Sequence, residues 1–156
     1  MASKMKPQTV RDYFDAVKWP ALASLFLLLV ASILLYRVEG LLAYRDQINL
    51  AFWIFLLLVP FYVGWRLAGW EGAGPVQAAL AGALFGLVAG GLYYLLIIAG
   101  SFAGLFGGPV DMAGVDWRAL GLFFGKEVGT GIVKSAAMAA LGLLVGLFVK
   151  KMKEVE

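Results

Sequence analysis

Charged residues divide the chain into long apolar stretches. Residues 19–36 carry no charge and lie between two basic residues, and residues 47–65 are also uncharged. An α-helix rises 1.5 Å per residue, so about 20 apolar residues cross a hydrocarbon core of about 30 Å. The two stretches therefore predict transmembrane helices at about 19–36 and 48–66.

The third apolar stretch is longer than one membrane crossing requires. No charge occurs between residues 72 and 110, and two consecutive tyrosines follow after about one crossing, where interfacial aromatic residues belong. We place the third span at about 75–96, because Pro75 suits the first position of a helix. The last apolar stretch predicts a fourth span at about 128–149.

The segment at 97–125, between the third and fourth spans, permits three conformations. Residues 97–110 are apolar and rich in glycine, whereas residues 111–116 are polar and Asp116 is suited to cap a helix that begins at Trp117. The segment could extend the third helix, lie flat on the membrane or re-enter it. Re-entry is tolerated only where the backbone is buried in protein or faces water.

Residues 1–18 are polar and basic, and they precede the first apolar stretch. Val10, Tyr13, Phe14 and Val17 recur at the spacing of one helix face. This predicts a short amphipathic helix in the headgroup plane, with an unstructured basic tail as the alternative. The chain is thus predicted to be an all-α integral membrane protein, a four-transmembrane-helix bundle with an interfacial N-terminal segment (1–18) and one membrane domain (19–156).

The distribution of basic residues predicts the orientation. Four spans place both termini on one side of the membrane. Eight cations then share that side: Lys4, Lys6, Arg11, Lys18, Arg66, Lys150, Lys151 and Lys153. Four lie opposite: Arg37, Arg45, Arg118 and Lys126. The positive-inside rule therefore predicts cytoplasmic termini, and we expect the plasma membrane as the location.

Composition supports a membrane protein and removes several kinds of chemistry. The chain is 62% hydrophobic and 15% charged, against about 45–50% and 25% in globular domains. It has no cysteine and no histidine, which excludes thiolate zinc sites and histidine acid–base catalysis. The net charge of +3 comes from cations beside apolar stretches, so we expect no nucleic-acid partner. We also expect no cofactor, no metal and no enzymatic activity, because catalysis would have to rest on a few carboxylates that the sequence shows in no paired, buried setting.

Glycines recur every four residues in the second half of the chain. The sets are Gly82, Gly86 and Gly90; Gly100, Gly104 and Gly108; Gly121, Gly125 and Gly129; and Gly142 and Gly146. In a bilayer this spacing forms a flat helix face on which another backbone packs closely. These faces could pack within one bundle or between chains.

Lys126, Glu127 and Lys134 are charges within the last apolar stretch. A charge inside a membrane costs several kcal/mol unless it is paired or hydrated, so it is a candidate functional group. Glu127, with the hydroxyl of Thr130, could hold a cation or a proton, and Lys134 could bind an anion or a lipid headgroup. Alternatively, Lys126 and Glu127 are interfacial and Lys134 extends its ammonium to the interface.

Pro60 lies inside the second predicted span. Proline removes one helix hydrogen bond and frees a backbone carbonyl about one turn earlier, which can kink the helix. The residue is either a hinge or one of the prolines that membrane helices tolerate.

Two classes of function fit these patterns. The first is a non-catalytic membrane protein that packs through its glycine faces, as a homo-oligomer or as a subunit of a larger membrane complex. The second is a small oligomeric channel or transporter with Glu127, Thr130 and Lys134 near the permeation path. The bilayer is the expected partner in both, together with further copies of the chain or other membrane subunits.

Overall fold

The computed structural model describes residues 10–38, 40–70, 72–106 and 111–154, and these are helical apart from turns, with no strand. The α-helices are α1 (Val10–Arg37), α2 (Arg45–Leu67), α3 (Pro75–Phe85), α4 (Gly91–Phe102) and α5 (Trp117–Lys153). A π-helical turn at Gly86–Gly90 joins α3 to α4, and short 3₁₀ turns lie at Leu41–Tyr44 and Met112–Gly114.

Four helices are long and apolar enough to cross a membrane: Arg11–Arg37, Leu41–Leu67, Pro75–Phe102 and Trp117–Lys153. The prediction of an all-helical chain with four such helices is confirmed. The start of the third helix is also confirmed, because Pro75 is its first residue, and the side chain of Gln77 accepts a hydrogen bond from the Gly74 amide at 3.0 Å.

The described part of the N-terminal segment is helical, as predicted, but it does not form a separate helix. Residues 10–18 form the first turns of α1, which continues without a break. Val17 is fully buried, and the ring of Tyr13 lies 6.2 Å from that of Trp70. Tyr13 and Val17 of the apolar stripe pack against the bundle, whereas Phe14 is 46% exposed, and the helix continues in line with the rest of α1. Residues 1–9 lie outside the described residues.

The third long helix ends later than predicted. It continues to Phe102 and stops in a Schellman motif, in which Leu105 donates to the Gly100 carbonyl and Gly104 donates to that of Ser101. Gly104 has a φ of 72°, a conformation that glycine adopts without strain. The prediction of one helix face formed by Gly100, Gly104 and Gly108 is therefore wrong for the described residues, and Gly108 lies outside them.

The last helix starts eleven residues before the predicted fourth span, at Trp117. The Asp116 carboxylate caps it as predicted, accepting from the amides of Arg118 and Ala119 at 3.0 Å. Lys126 and Glu127 lie in its interior, since lysine and glutamate are good helix formers and end an apolar stretch without ending a helix. The described parts of 97–125 thus extend two helices and form no re-entrant hairpin.

Small residues bring α2 and α5 into backbone contact. Gly64 lies directly against the Ala139 backbone, Gly142 against that of Phe61, and Gly146 against Ala68. Residue numbers rise together from the Gly142–Phe61 contact to the contact of Gly146 with Trp65, so the two helices run parallel. A side chain at any of these glycines would collide with the neighbouring helix.

The third long helix packs on α5 in the opposite direction. Gly82 lies against Ser135 and Ala139, and Gly86 lies against Gly131 and Ile132. Four of the glycines with four-residue spacing (82, 86, 142 and 146) are thus used for packing within the chain. This is the intrachain use that the spacing allowed.

The packed core occupies the half of the bundle that holds both described ends of the chain, which we call the terminal half. Its buried cluster consists of Val17, Ala21, Val63, Leu67, Ala68, Ala78, Ala81, Phe85, Ala89 and Leu143. Pro60 is also buried, inside an uninterrupted α2; its role as a hinge stays a prediction. In the opposite half, α4 makes far less contact with α5 than α3 does.

Candidate functional site

A cavity of about 520 Å³ lies in the half of the bundle opposite the terminal half. Its walls are the first half of α2, the π-helical turn with α4, and the first half of α5, with one residue from α1 and the last residue of α3. The lining residues are Leu28, Arg45, Asn49, Phe52, Trp53, Leu56, Leu57, Phe85, Gly86, Ala89, Gly90, Tyr93, Tyr94, Ile97, Ile98, Phe123, Glu127, Gly131, Lys134 and Ser135.

Glycine makes room for this cavity. Gly90 and Gly131 line it, and a Cβ atom built on either of them would meet nothing within 4 Å. Gly90 ends the π-helical turn, which inserts one extra residue into a helix and is frequent at functional sites. The extra residue sets the direction in which the following tyrosines point.

Glu127 lies in the cavity wall on α5 and is half-buried. The hydroxyl of Tyr94 donates a hydrogen bond to its carboxylate at 3.1 Å. The Tyr94 ring in turn meets Phe123 edge-on, with ring centroids 6.1 Å apart. The carboxylate is therefore held in a fixed position against α4.

Lys134 lies about 10 Å further along α5, two helical turns from Glu127. Its ammonium lies 4.4 Å from the centre of the Trp53 ring on α2. A cation over an aromatic face is attracted by the negative face of the ring. Among the described residues, no carboxylate lies within 4 Å of this ammonium. The ion pair that the described residues do form joins Lys18 to Asp15 at the start of the chain, in α1.

Arg45 and Asn49 add polar groups on the α2 wall. Lys134 faces Trp53 and Gly142 faces Phe61, and in both pairs the α5 residue is 81 positions later in the sequence. The same offset places Arg45 at the level of Lys126, next to Glu127. Polar groups therefore line the cavity from the level of Arg45 to the level of Lys134.

Polar contacts from α1 hold α4 in place beside the cavity. Ser32 and Tyr93 share a hydrogen bond of 2.9 Å between their hydroxyls. At the end of α1, the Arg37 guanidinium donates to the carbonyls of Gly104 and Leu105 at 3.3 Å. These contacts fix the α4 wall, on which both tyrosines lie.

Of the predicted site residues, Glu127 and Lys134 line the same cavity, whereas Thr130 is half-buried outside its lining. Sequence reasoning missed Arg45, Asn49 and the hydrogen-bonding role of Tyr94. A signal was present on α2, because Arg45, Asn49 and Trp53 recur every four residues and so share one helix face.

One glycine set has no partner in the structure. Gly121, Gly125 and Gly129 lie in the first half of α5, and a Cβ atom at each would meet nothing within 4 Å. They do not line the cavity. These three glycines therefore form an open stripe on the outside of the bundle.

The cavity lining mixes a few ionisable groups with apolar side chains. Across the described residues, no group of three acidic side chains comes close enough to hold a metal ion. The cavity instead combines one carboxylate and two cations with tyrosine hydroxyls and a largely apolar wall. No protein-family model, curated protein or solved structure matches the chain.

Proposed function

We propose that the chain is a small membrane transport protein of the carrier type, and that the cavity is its solute-binding site. The main support for this proposal is that three charged residues, Arg45, Glu127 and Lys134, line one cavity. Arg45 is far from the other two in the sequence. Cavities of about 300–1,000 Å³ with a few placed polar groups are typical of small-molecule sites. Charged residues within membrane helices commonly mark transport paths.

The surface of the bundle suits a lipid environment. Large apolar side chains are exposed on several helices, among them Trp19 (70%), Val133 (69%) and Phe148 (64%). Exposed apolar patches of this kind mark membrane or protein contacts. We propose that the four long helices cross the plasma membrane with both termini in the cytoplasm, as the distribution of lysine and arginine favours.

A carrier fits the shape of the cavity better than an open channel does. The cavity ends at Phe85 and Ala89, which also belong to the buried cluster of the terminal half. Beyond them, Leu67 and Leu143 are almost completely buried. A solute that enters from the outer side therefore meets closed packing, and passage requires this half to open in a second conformation.

Flux from proteoliposomes tests the proposal. The vesicles are loaded with a mixture of small organic anions, cations and zwitterions, and the medium is analysed by mass spectrometry. We expect one chemical class to leave faster than from protein-free vesicles. Gly131→Leu should abolish this flux because its side chain fills the cavity, and Gly90→Leu should do the same from the opposite wall.

The matched control is Ala137→Leu, which adds a similar side chain to an exposed position on α5 outside the cavity. It should leave the flux within about twofold of the wild-type rate. If wild-type vesicles release none of the solutes faster than empty ones, the carrier proposal is wrong. Equal flux in wild type and both cavity-filling variants would also contradict it.

Self-assembly is the second candidate function, and the open stripe at Gly121, Gly125 and Gly129 favours it. Because no described residue covers these glycines, the helix of another copy or of a different membrane subunit has room to pack there. Gly125→Leu should then lower the native mass in mild detergent, while Ala137→Leu leaves it unchanged. A wild-type monomer, or an unchanged oligomer in Gly125→Leu, would contradict assembly through this stripe.

A further inference from the structure

The cavity carries an excess of positive charge. Arg45, Lys134 and Glu127 are the charged residues in its lining. Glu127 already accepts a hydrogen bond from Tyr94 at 3.1 Å, whereas neither cation has a carboxylate within 4 Å among the described residues. A cation between membrane helices is costly unless it is paired or hydrated, so an anionic group stabilises this arrangement more than any other ligand group would.

Lys134 is the group best placed to receive that anion. An ammonium has three N–H donors, and the face of the Trp53 ring satisfies the charge without supplying a hydrogen-bond acceptor of ordinary strength. Its donors therefore remain available to oxygen atoms of a ligand. Glu127 lies about 10 Å away along α5, too far to contact an anion held by Lys134.

Most of the remaining wall is apolar, which sets the character of the rest of the ligand. Leucine, isoleucine and phenylalanine side chains and glycine backbone surround the space between the three walls. A volume of about 520 Å³ holds about 17 groups of the size of a water molecule, at roughly 30 Å³ each. This is enough for one alkyl chain with a headgroup, and too little for both chains of a lipid with two long chains.

Lys134 and Trp53 lie at the edge of the cavity. Trp53 is 42% exposed and Lys134 is also exposed, although both line the cavity. This exposure favours a lateral opening between α2 and α5 on the flank of the bundle. On the proposed function this flank faces lipid, so an amphipathic molecule reaches the site from within the bilayer.

We propose that the ligand is a single-chain amphipathic anion, with its carboxylate on Lys134 and its alkyl chain along the apolar wall. This rests on the proposed function, because it takes the cavity to be the binding site. Long-chain carboxylates fit the volume, the charge and the lateral opening together. The pairing replaces the ring contact of Lys134 with charge-assisted hydrogen bonds.

Three probes of equal chain length test the headgroup: dodecanoate, dodecanol and dodecylammonium. Binding is measured as the ligand-dependent rise in the unfolding midpoint of the protein in nonionic detergent. We expect dodecanoate to stabilise the wild type, and Lys134→Met to weaken this binding at least about tenfold. Lys126→Met removes an exposed lysine of the same helix that does not line the cavity, and it should bind dodecanoate as the wild type does.

The remaining outcomes separate failure of this inference from failure of the carrier proposal. If dodecanol or dodecylammonium stabilises as strongly as dodecanoate, and Gly131→Leu removes the effect, the cavity binds ligands but not anions in particular, and the inference is wrong. Stronger stabilisation by the two-chain anion phosphatidylglycerol, lost in Gly131→Leu, would overturn the single-chain assignment. If neither Lys134→Met nor Gly131→Leu changes dodecanoate binding, the ligand binds outside the cavity and the inference is wrong. The flux measurement then tests the carrier proposal separately.

Discussion

At the residue scale, glycine has two opposite uses in this chain. Gly64 and Gly142 allow two helices to touch backbone to backbone, while Gly90 and Gly131 leave space that no neighbour fills. The same residue type therefore closes one half of the bundle and opens the other. The four-residue spacing of glycines identified Gly142 as a packing residue but not Gly64. Gly64 has the small residue Ala68 four positions later, and such a pair of small residues also allows close helix packing.

Alanine substitutions should separate the two uses. Gly64→Ala places a methyl group on the Ala139 carbonyl, so α2 and α5 must move apart, at a cost of about 1–3 kcal/mol of unfolding free energy. Gly125→Ala meets no atom and should stabilise the helix by about 0.5–1 kcal/mol. Denaturant unfolding in detergent measures both. Equal effects of the two substitutions would contradict the packing described for Gly64.

At the element scale, the sequence predicted the apolar parts of the helices and missed their ends. Asp116 marks the start of α5, whereas the charges at Lys126 and Glu127 interrupt its apolar sequence and make the predicted span begin later. Apolar stretches report what surrounds a helix, whereas caps and glycine turns report where it stops. The π-helical turn at Gly86–Gly90 was also invisible, because one extra residue in a uniformly apolar stretch changes no polar pattern.

The parallel contact of α2 with α5 predicts that two cysteines introduced at facing positions will form a disulfide, and the natural chain has no cysteine that could interfere. A Cβ atom at Gly146 would lie 2.8 Å from that of Ala68. If the two helices move apart slightly, the Cβ–Cβ distance becomes the about 3.5–4.5 Å that a disulfide needs. Ala68→Cys with Gly146→Cys should oxidise within one chain, which mass spectrometry detects as protection from alkylation. Leu147→Cys points away from α2 and serves as the control partner. Free thiols in the first pair, or equal oxidation of the control, would contradict this register.

At the scale of the whole molecule, the bundle has one closed half and one half with a cavity. The site could be foreseen only in part. Glu127 and Lys134 stood out as charges in apolar sequence, but Arg45 is far from them in the chain and only the parallel packing of α2 and α5 brings it to their level. Long-range packing, which local patterns do not encode, decides which charges share a cavity.

The proposed orientation predicts which side of the membrane each end of the bundle faces. In intact cells a membrane-impermeant maleimide should label Ala113→Cys, in the loop before α5, from the outside. Lys153→Cys, at the end of α5, should react only after permeabilisation. Labelling of Lys153→Cys in intact cells, with protection of Ala113→Cys, would reverse the orientation and place the cavity on the cytoplasmic side.

The central claim is that the cavity is a ligand site, and native mass spectrometry after gentle extraction tests it most directly. The account predicts that wild type and Ala137→Leu each carry a bound small molecule of the same mass, and that Gly131→Leu and Gly90→Leu lose it while remaining folded. Retention of that mass by both cavity-filling variants, or its absence from the wild type, would contradict the account.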